Sequence, residues 1–389
     1  MAGLAALAMA NGIGRFALTP ILPMMQEDAG LTVATGAWIA SANYVGYLIG
    51  ALSMMFAPLR PTSAIRAGLL TIGLATLGMG LTREFGVWLG LRTIAGIANA
   101  WVLISVSAWC LAKLAIVRRP LLNGVVFAGV GVGIALAGTL CLLLMRAGAS
   151  SVRVWVIFGG LSLAIAAALW PAFNDEGPAA PRPPAAARRR GIVWDSQWVR
   201  LILCYSAYGF AYIIPATFLP AMAKQRIANP MVFGWSWPLF GAAAAISAVV
   251  AAVVPRGHRE VWIACQITMA LGIALPVVWP SIVAIMLAAL FVGGTFMVIT
   301  MVGMQEARAV GGEHAIHLMA AMTSAFALGQ IVGPLVVGFL VRGGGSISSA
   351  LLLASALLVV SARALSRPAT TGDHPKPWMA HEDERELRR

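Results

Sequence analysis

Arg15 is a charge inside an apolar stretch, and the residues around it are spaced as a helix face. Asn11, Arg15 and Thr19 stand at i, i+4 and i+8, so a helix carries an amide, a guanidinium and a hydroxyl on one stripe. A second arginine lies in another apolar run, with Arg92, Gly96 and Asn99 on one face. Of the five tyrosines, Tyr205, Tyr208 and Tyr212 fall at i, i+3 and i+7, and Tyr44 and Tyr47 are the others. The chemistry open to such a set is recognition rather than catalysis: guanidiniums and phenols suit an anion with an apolar or aromatic body. A charge near the middle of a membrane-length segment costs roughly 2.5–3.5 kcal/mol on insertion scales and is normally turned to a wet cavity or a partner. Each residue also has a plainer role open to it. Arg15 could snorkel or bond carbonyls freed by Pro20. Arg92 could brace neighbouring helices, Asn11 and Asn99 could bond across helices, and the tyrosine stripe could be packing.

Residue types that run other chemistries are missing from the apolar runs. No Asp or Glu lies deep within them; Glu27 and Asp28 fall at the end of the first, and Glu306 at the end of the tenth. No Ser/His/Asp set, phosphate-cradling loop or ATP-binding domain is visible, so no enzyme, cofactor or metal site is expected. The four cysteines, Cys110, Cys141, Cys204 and Cys265, lack metal-ligand spacing and read as small core residues. Any proton coupling must then use groups near the membrane edge, with Glu306 and His314 as the candidates.

The elements that position these residues are membrane helices. The chain is 60% hydrophobic and 11% charged, with mean hydropathy +0.86, where a soluble chain has about 25% charged residues. Helices are expected over 2–25, 34–57, 65–82, 86–109, 121–145, 152–172, 198–222, 231–254, 261–279, 281–304, 316–341 and 346–365, each long enough to cross a bilayer core. Ala8-Met9-Ala10 looks like a signal-peptidase site, but no positive charge precedes it and a copy of the segment lies mid-chain at Leu203 to Lys224. It is therefore read as the first span. That span starts almost at Met1, so a few preceding cytoplasmic residues are expected.

The copy is part of a long internal repeat. At one constant offset Ala10, Gly12, Leu22, Pro23 and Met25 meet Ala207, Gly209, Leu219, Pro220 and Met222, and Trp38 meets Trp235. The same offset sets Tyr208 opposite Asn11 and Tyr212 opposite Arg15. After a short drift Gly129, Gly133 and Gly138 meet Gly329, Gly333 and Gly338. Two similar membrane halves are the layout of a transporter. The net charge of +13 does not indicate nucleic acid, because the basic residues are scattered among short loops. Sorted by loop, most of them, from Arg60 and Arg66 through Arg188–Arg190 to the tail, fall on one side, which makes both termini cytoplasmic. Residues 174–196 are a Pro/Ala/Arg-rich linker whose Arg188-Arg189-Arg190 run is a topology signal or holds anionic lipid headgroups. The tail over 366–389 is polar and expected to be disordered.

Two six-helix halves and a basic linker resemble the major facilitator superfamily. Arg92-Thr-Ile-Ala-Gly96 resembles its RxxxG motif, and Gly329-Gln-Ile-Val-Gly333-Pro334 its GxxxGP motif. The fifth-span counterpart, Gly129 and Gly133, lacks the proline, and the loop Pro58 to Arg66 keeps basic residues without the family's GxLaDrxGrr pattern. The text GIGRFALTPILPMMQ and WIASANYVGYLIGAL is similar to the bacterial YbfB/YjiJ group. The resemblance implies a cavity lined by the first, fourth, seventh and tenth spans. At 1.5 Å per residue Arg15 lies roughly 20 Å into its span and Arg92 roughly 10 Å from the far end of its own, depths that coincide in a core of about 30 Å. One positive patch is therefore expected there.

The expected fold is all-α, with twelve transmembrane helices in two pseudo-symmetric bundles over 1–173 and 197–365. The expected function is secondary active transport across the bacterial inner membrane of a small organic solute, anionic or amphipathic. An ion moves with it or exchanges for it. The alternatives are an exporter of neutral or cationic amphipathic compounds, and a polytopic membrane enzyme or sensor. Proline at 334 but not in the fifth span predicts a bend in the eleventh alone.

Overall fold

A helix that is apolar on every face is stable only where its outer face meets lipid and its inner face meets other helices. The computed structural model describes residues 1–57, 59–117, 120–174, 195–226, 235–342, 344 and 346–367. The Arg188–Arg190 run and the tail beyond Arg367 lie outside them. The first apolar segment is built in three pieces: α1 (Ala2–Leu7), a π-helical run (Ala8–Arg15) and α2 (Leu18–Asp28). There follow α3 (Val33–Phe56), α4 (Pro61–Leu81), α5 (Phe85–Val117), α6 (Pro120–Arg146) and α7 (Ser151–Leu169). The second part of the chain gives α8 (Ser196–Arg226), α9 (Ser236–Ala252), α10 (His258–Val278), α11 (Ile282–Gly311), α12 (Ala315–Arg342) and α13 (Ile347–Ser366).

Local chemistry sets many of these boundaries. Thr32 caps α3 in a reciprocal box with Thr35, and Ser150, Ser281 and Ser346 accept from the third amide of α7, α11 and α13. Pro61 opens α4, where its missing N–H costs nothing. Gly30 and Gly312 turn the chain with φ of 68° and 50°, the left-handed region that favours glycine. Ten helical stretches among the described residues are long and apolar enough to cross a membrane. One of them, Ile282–Leu340, takes in both α11 and α12 across a short 3₁₀ turn, and α9 is shorter than the rest. Trp38, Leu74, Leu136, Ile246, Leu271, Phe339 and Val360 are all more than half exposed, an apolar rim that water would penalise and lipid would not.

Packing follows the repeat. α6 lies along α1 and the π run so closely that a Cβ on Gly129 would overlap the Leu4 backbone, and one on Gly133 the Ala8 backbone. α12 meets α8 in the same way, since a Cβ on Gly329 would come to 2.5 Å from the Ser206 carbonyl and one on Gly333 to 2.5 Å from Ile213 Cγ2. Each glycine pair thus seats its helix on the first helix of its own half. Contact between the halves runs through α3 with α12 and, most extensively, through α6 with α9. Gly124, Gly131 and Gly241 bring the α6 and α9 backbones together; a Cβ on Gly124 would lie 2.6 Å from the Ala248 carbonyl. α12 runs as one helix through Pro334.

The first span departs from the continuous helix expected over 2–25. The Phe16 amide donates to the Asn11 carbonyl at 3.0 Å, five residues back, and Thr19 then turns to the Phe16 carbonyl at 3.2 Å. Pro20 has no N–H to give that carbonyl, so the ladder shifts register here.

Candidate functional site

α5 reaches the backbone of the π run with its polar side chains. Arg92 donates Nη1 to the Gly14 carbonyl and Nη2 to the Arg15 carbonyl, both at 2.9 Å. Two turns along, Asn99 Nδ2 donates to the Ala10 carbonyl at 2.6 Å. Arg92 is held in turn, its own carbonyl accepting from Asn43 Nδ2 at 3.1 Å, while Gly96 lets α5 close onto the Asn43 backbone of α3. Arg92 and Asn99 are 3% and 0% exposed. Arg92 Nη1 and Nη2 and Asn99 Nδ2 go to the backbone of the first span, while Arg92 Nε and Asn99 Oδ1 have no partner among the described residues.

With its backbone clamped from behind, Arg15 points the other way. Its guanidinium carbon lies 4.4 Å from the Tyr47 ring centroid, 5.4 Å from Phe16, 5.7 Å from Tyr44 and 5.8 Å from Phe326. An arginine among ring faces recovers about 0.5–2 kcal/mol per contact when desolvated. Nη2 donates to Gln330 Oε1 on α12, which ties the first span to the second half of the chain. The Arg15 Nε, Asn11 Nδ2, Gln330 Nε2 and Tyr212 hydroxyl have no hydrogen-bond partner.

Arg15 faces a small pocket between the first and second parts of the chain, lined by Asn11, Arg15, Tyr47, Tyr205, Tyr208 and Tyr212 with Phe296, Thr300 and Phe326 among others; Gln330 reaches Arg15 from outside that lining. The space within that is open to a water-sized molecule is about 30 Å³, enough for water and little else. Tyr208 donates to the Phe296 carbonyl at 2.7 Å and meets Thr300 Oγ1 at 3.2 Å. Tyr212 stacks on Phe296 with centroids 5.2 Å apart, and Phe296 continues to Phe240 at 5.1 Å and Trp237 beyond it. The lining is aromatic, contains one cation, and contains no carboxylate.

The pocket therefore joins Asn11 and Arg15 with Tyr208 and Tyr212, which the repeat sets opposite them, and adds Tyr205. Arg92 and Asn99 stand behind it, and Thr19 is exposed on α2 away from the lining. Glu306 pairs with Arg259 Nε and has His258 Nδ1 at 3.8 Å, whereas the His314 ring lies 5.8 Å from that of His317. Sequence reasoning did not assign Gln330, Phe296, Thr300 or Phe326, nor give Tyr44 and Tyr47 a place. Gln330 had a usable sign: it is an amide in an apolar span, inside a motif valued only for its glycines and proline. A larger space of about 900 Å³ opens among α6, α9, α10 and α11, beside Arg256 and His258, and is lined on α11 by Met301 and Val302, next along from Thr300 of the smaller pocket.

Comparison with known proteins places this geometry. A family model described as uncharacterised MFS-type transporter YbfB matches residues 7–366. No curated protein matches by sequence. Among solved structures, the crystal structure of the human organic anion transporter MFSD10 (TETRAN) has the same fold, with a TM-score of 0.67. The match is 16% identical and covers 94% of this chain and 98% of that one.

Proposed function

The chain belongs to the family of MFS-type transporters described by YbfB, a multi-pass membrane protein family, and from that premise we propose that it moves a small organic anion with an apolar or aromatic body across the inner membrane. The observation that carries this reading is the Arg15 pocket. A buried cation stands among aromatic faces, with donors on Asn11 and Tyr212 that have no partner among the described residues, and no acid among the described residues of the lining. Donors without acceptors favour a ligand rich in acceptor oxygens. A cation would meet the Arg15 charge with nothing to offset it, which counts against the neutral or cationic exporter. The structural neighbour carries the fold alone.

In this reading α1, the π run and α2 form one span, and the chain has twelve spans in two six-helix bundles, residues 1–173 and 197–365. Both termini are cytoplasmic, and the linker and tail lie on the same side. The halves rock about the Arg15 pocket in secondary active transport. Glu306, a carboxylate buried within a described helix and held by Arg259, is the side chain we assign to ion coupling.

The test is ligand-induced stabilisation of purified protein, with aromatic monocarboxylates scored against quaternary ammonium cations. Carboxylates should raise the melting temperature of the parent. Arg15→Ala should weaken that response at least tenfold while the protein alone melts within a few degrees of the parent. Stabilisation by cations and not by carboxylates overturns the reading.

A further inference from the structure

Arg15 and Gln330 come from opposite halves of the repeat and are 7% and 1% exposed. The bond between them uses a neutral amide oxygen in the position one carboxylate oxygen would take on a guanidinium. In this arrangement the pocket beside Arg15 holds about 30 Å³, too little for a solute carrying a ring. Closing a pocket on an unpaired arginine leaves a buried charge without compensation, among the costliest arrangements in a protein. Here Gln330 and the four rings supply the compensation from within the chain. Gln330 also sits where α12 yields most easily. Pro334 has no N–H to return to the Gln330 carbonyl, so the helix lacks one rung at this residue.

We propose that Gln330 is the closing partner of Arg15, taking the guanidinium in place of a solute's anionic oxygen, so that the two halves come together with no solute between them. The inference rests on the anionic-solute reading above. A carrier that closes only around its solute trades one molecule for another. One with an internal substitute completes the return step without cargo and moves solute net. Gln330 is thus a positioning residue for the transport cycle, and net movement rather than obligatory exchange is its consequence.

The experiment reads pocket closure directly. A cysteine is placed at Thr300, which lines the pocket, in a chain whose Cys110, Cys141, Cys204 and Cys265 are replaced by alanine. Its reaction with a small water-soluble methanethiosulfonate is timed in buffer free of organic anions. The parent should react slowly. Gln330→Leu should react about tenfold faster or more, the effect of losing one hydrogen bond to a buried charge. Gln330→Glu retains an acceptor and should stay slow. The double variant Arg15→Leu with Gln330→Leu should return to slow reaction, because no unpaired charge then opposes closure. A merely structural role for Gln330 would leave the double variant as fast as the single one. A fast parent, an unchanged Gln330→Leu, or a fast double variant overturns the proposal. If Gln330→Leu does not fold, the double variant and Gln330→Glu decide by the same criteria. No solute enters the assay. The expected pattern beside stabilisation by cations alone would leave the closing role standing and remove the anion reading.

Discussion

Replacing Arg92 tests whether its guanidinium serves the backbone or the solute. Arg92→Met removes the two 2.9 Å bonds to the Gly14 and Arg15 carbonyls. Hydrogen bonds between membrane helices average about 0.6 kcal/mol and reach about 1.7, so two of them are worth about 1.2–3.4 kcal/mol. The charged donor moves the value toward the top of that range, and relief from burying a charge moves it back. A net loss of about 1–3 kcal/mol is expected. Arg92→Lys separates the two roles more sharply. It keeps the buried charge, but an ammonium cannot span two carbonyls as the planar fork does. Arg92→Lys should therefore destabilise at least as much as Arg92→Met, although it conserves the charge. Asn99→Leu, which loses only the bond to the Ala10 carbonyl, should cost less than either. The measurement is thermal unfolding of detergent-purified protein. Arg92→Lys melting with the parent would refute the backbone role and return Arg92 to the solute site.

Two further predictions rest on packing and on a cap. Gly133→Leu places a side chain where the Ala8 backbone already lies, and should abolish folded yield, whereas Gly338→Leu, with nothing within 4 Å of its Cβ, should express as the parent does; size-exclusion profiles of the two variants compare them directly. Asp28 accepts from the Ser151 amide at 2.5 Å and the Ser151 hydroxyl at 2.6 Å at the start of α7, so Asp28→Asn should lower stability by about 0.5–2 kcal/mol, and an unchanged melting temperature would show that the cap contributes nothing.

Much of this was legible in the sequence because apolar length and loop chemistry act locally. The run expected over 121–145 is α6, Pro120–Arg146, and that over 346–365 is α13, Ile347–Ser366. The repeat, read from Pro, Trp and Gly matches, set Asn11 and Arg15 opposite Tyr208 and Tyr212, and all four line one pocket. The π run was not legible. A stripe drawn at i, i+4 and i+8 assumes one constant turn, and the register change before Pro20 carries Thr19 away from Asn11 and Arg15. For Arg92 helical rise gives a height along the span, whereas its partners, the Gly14 and Arg15 carbonyls, are backbone groups that no sequence displays. Naming Glu306 and His314 as coupling candidates left out Arg259 at the start of α10, which only the fold brings beside Glu306 on α11.

The seam between α6 and α9 has a mechanical consequence. Interlocked side chains act as teeth, and sliding them past one another requires each to climb out of its socket. Gly131 and Gly241 present bare backbone to bare backbone at the middle of this seam, and Gly124 meets only the Ala248 and Val249 backbone and the small Ala252 side chain, so there it works as a plain bearing rather than a gear. Such a joint resists separation through close dispersion contact yet offers few fixed stops to rotation. Any large side chain introduced at Gly131 would act as a wedge, holding the seam open at one end and setting the tilt of one half against the other.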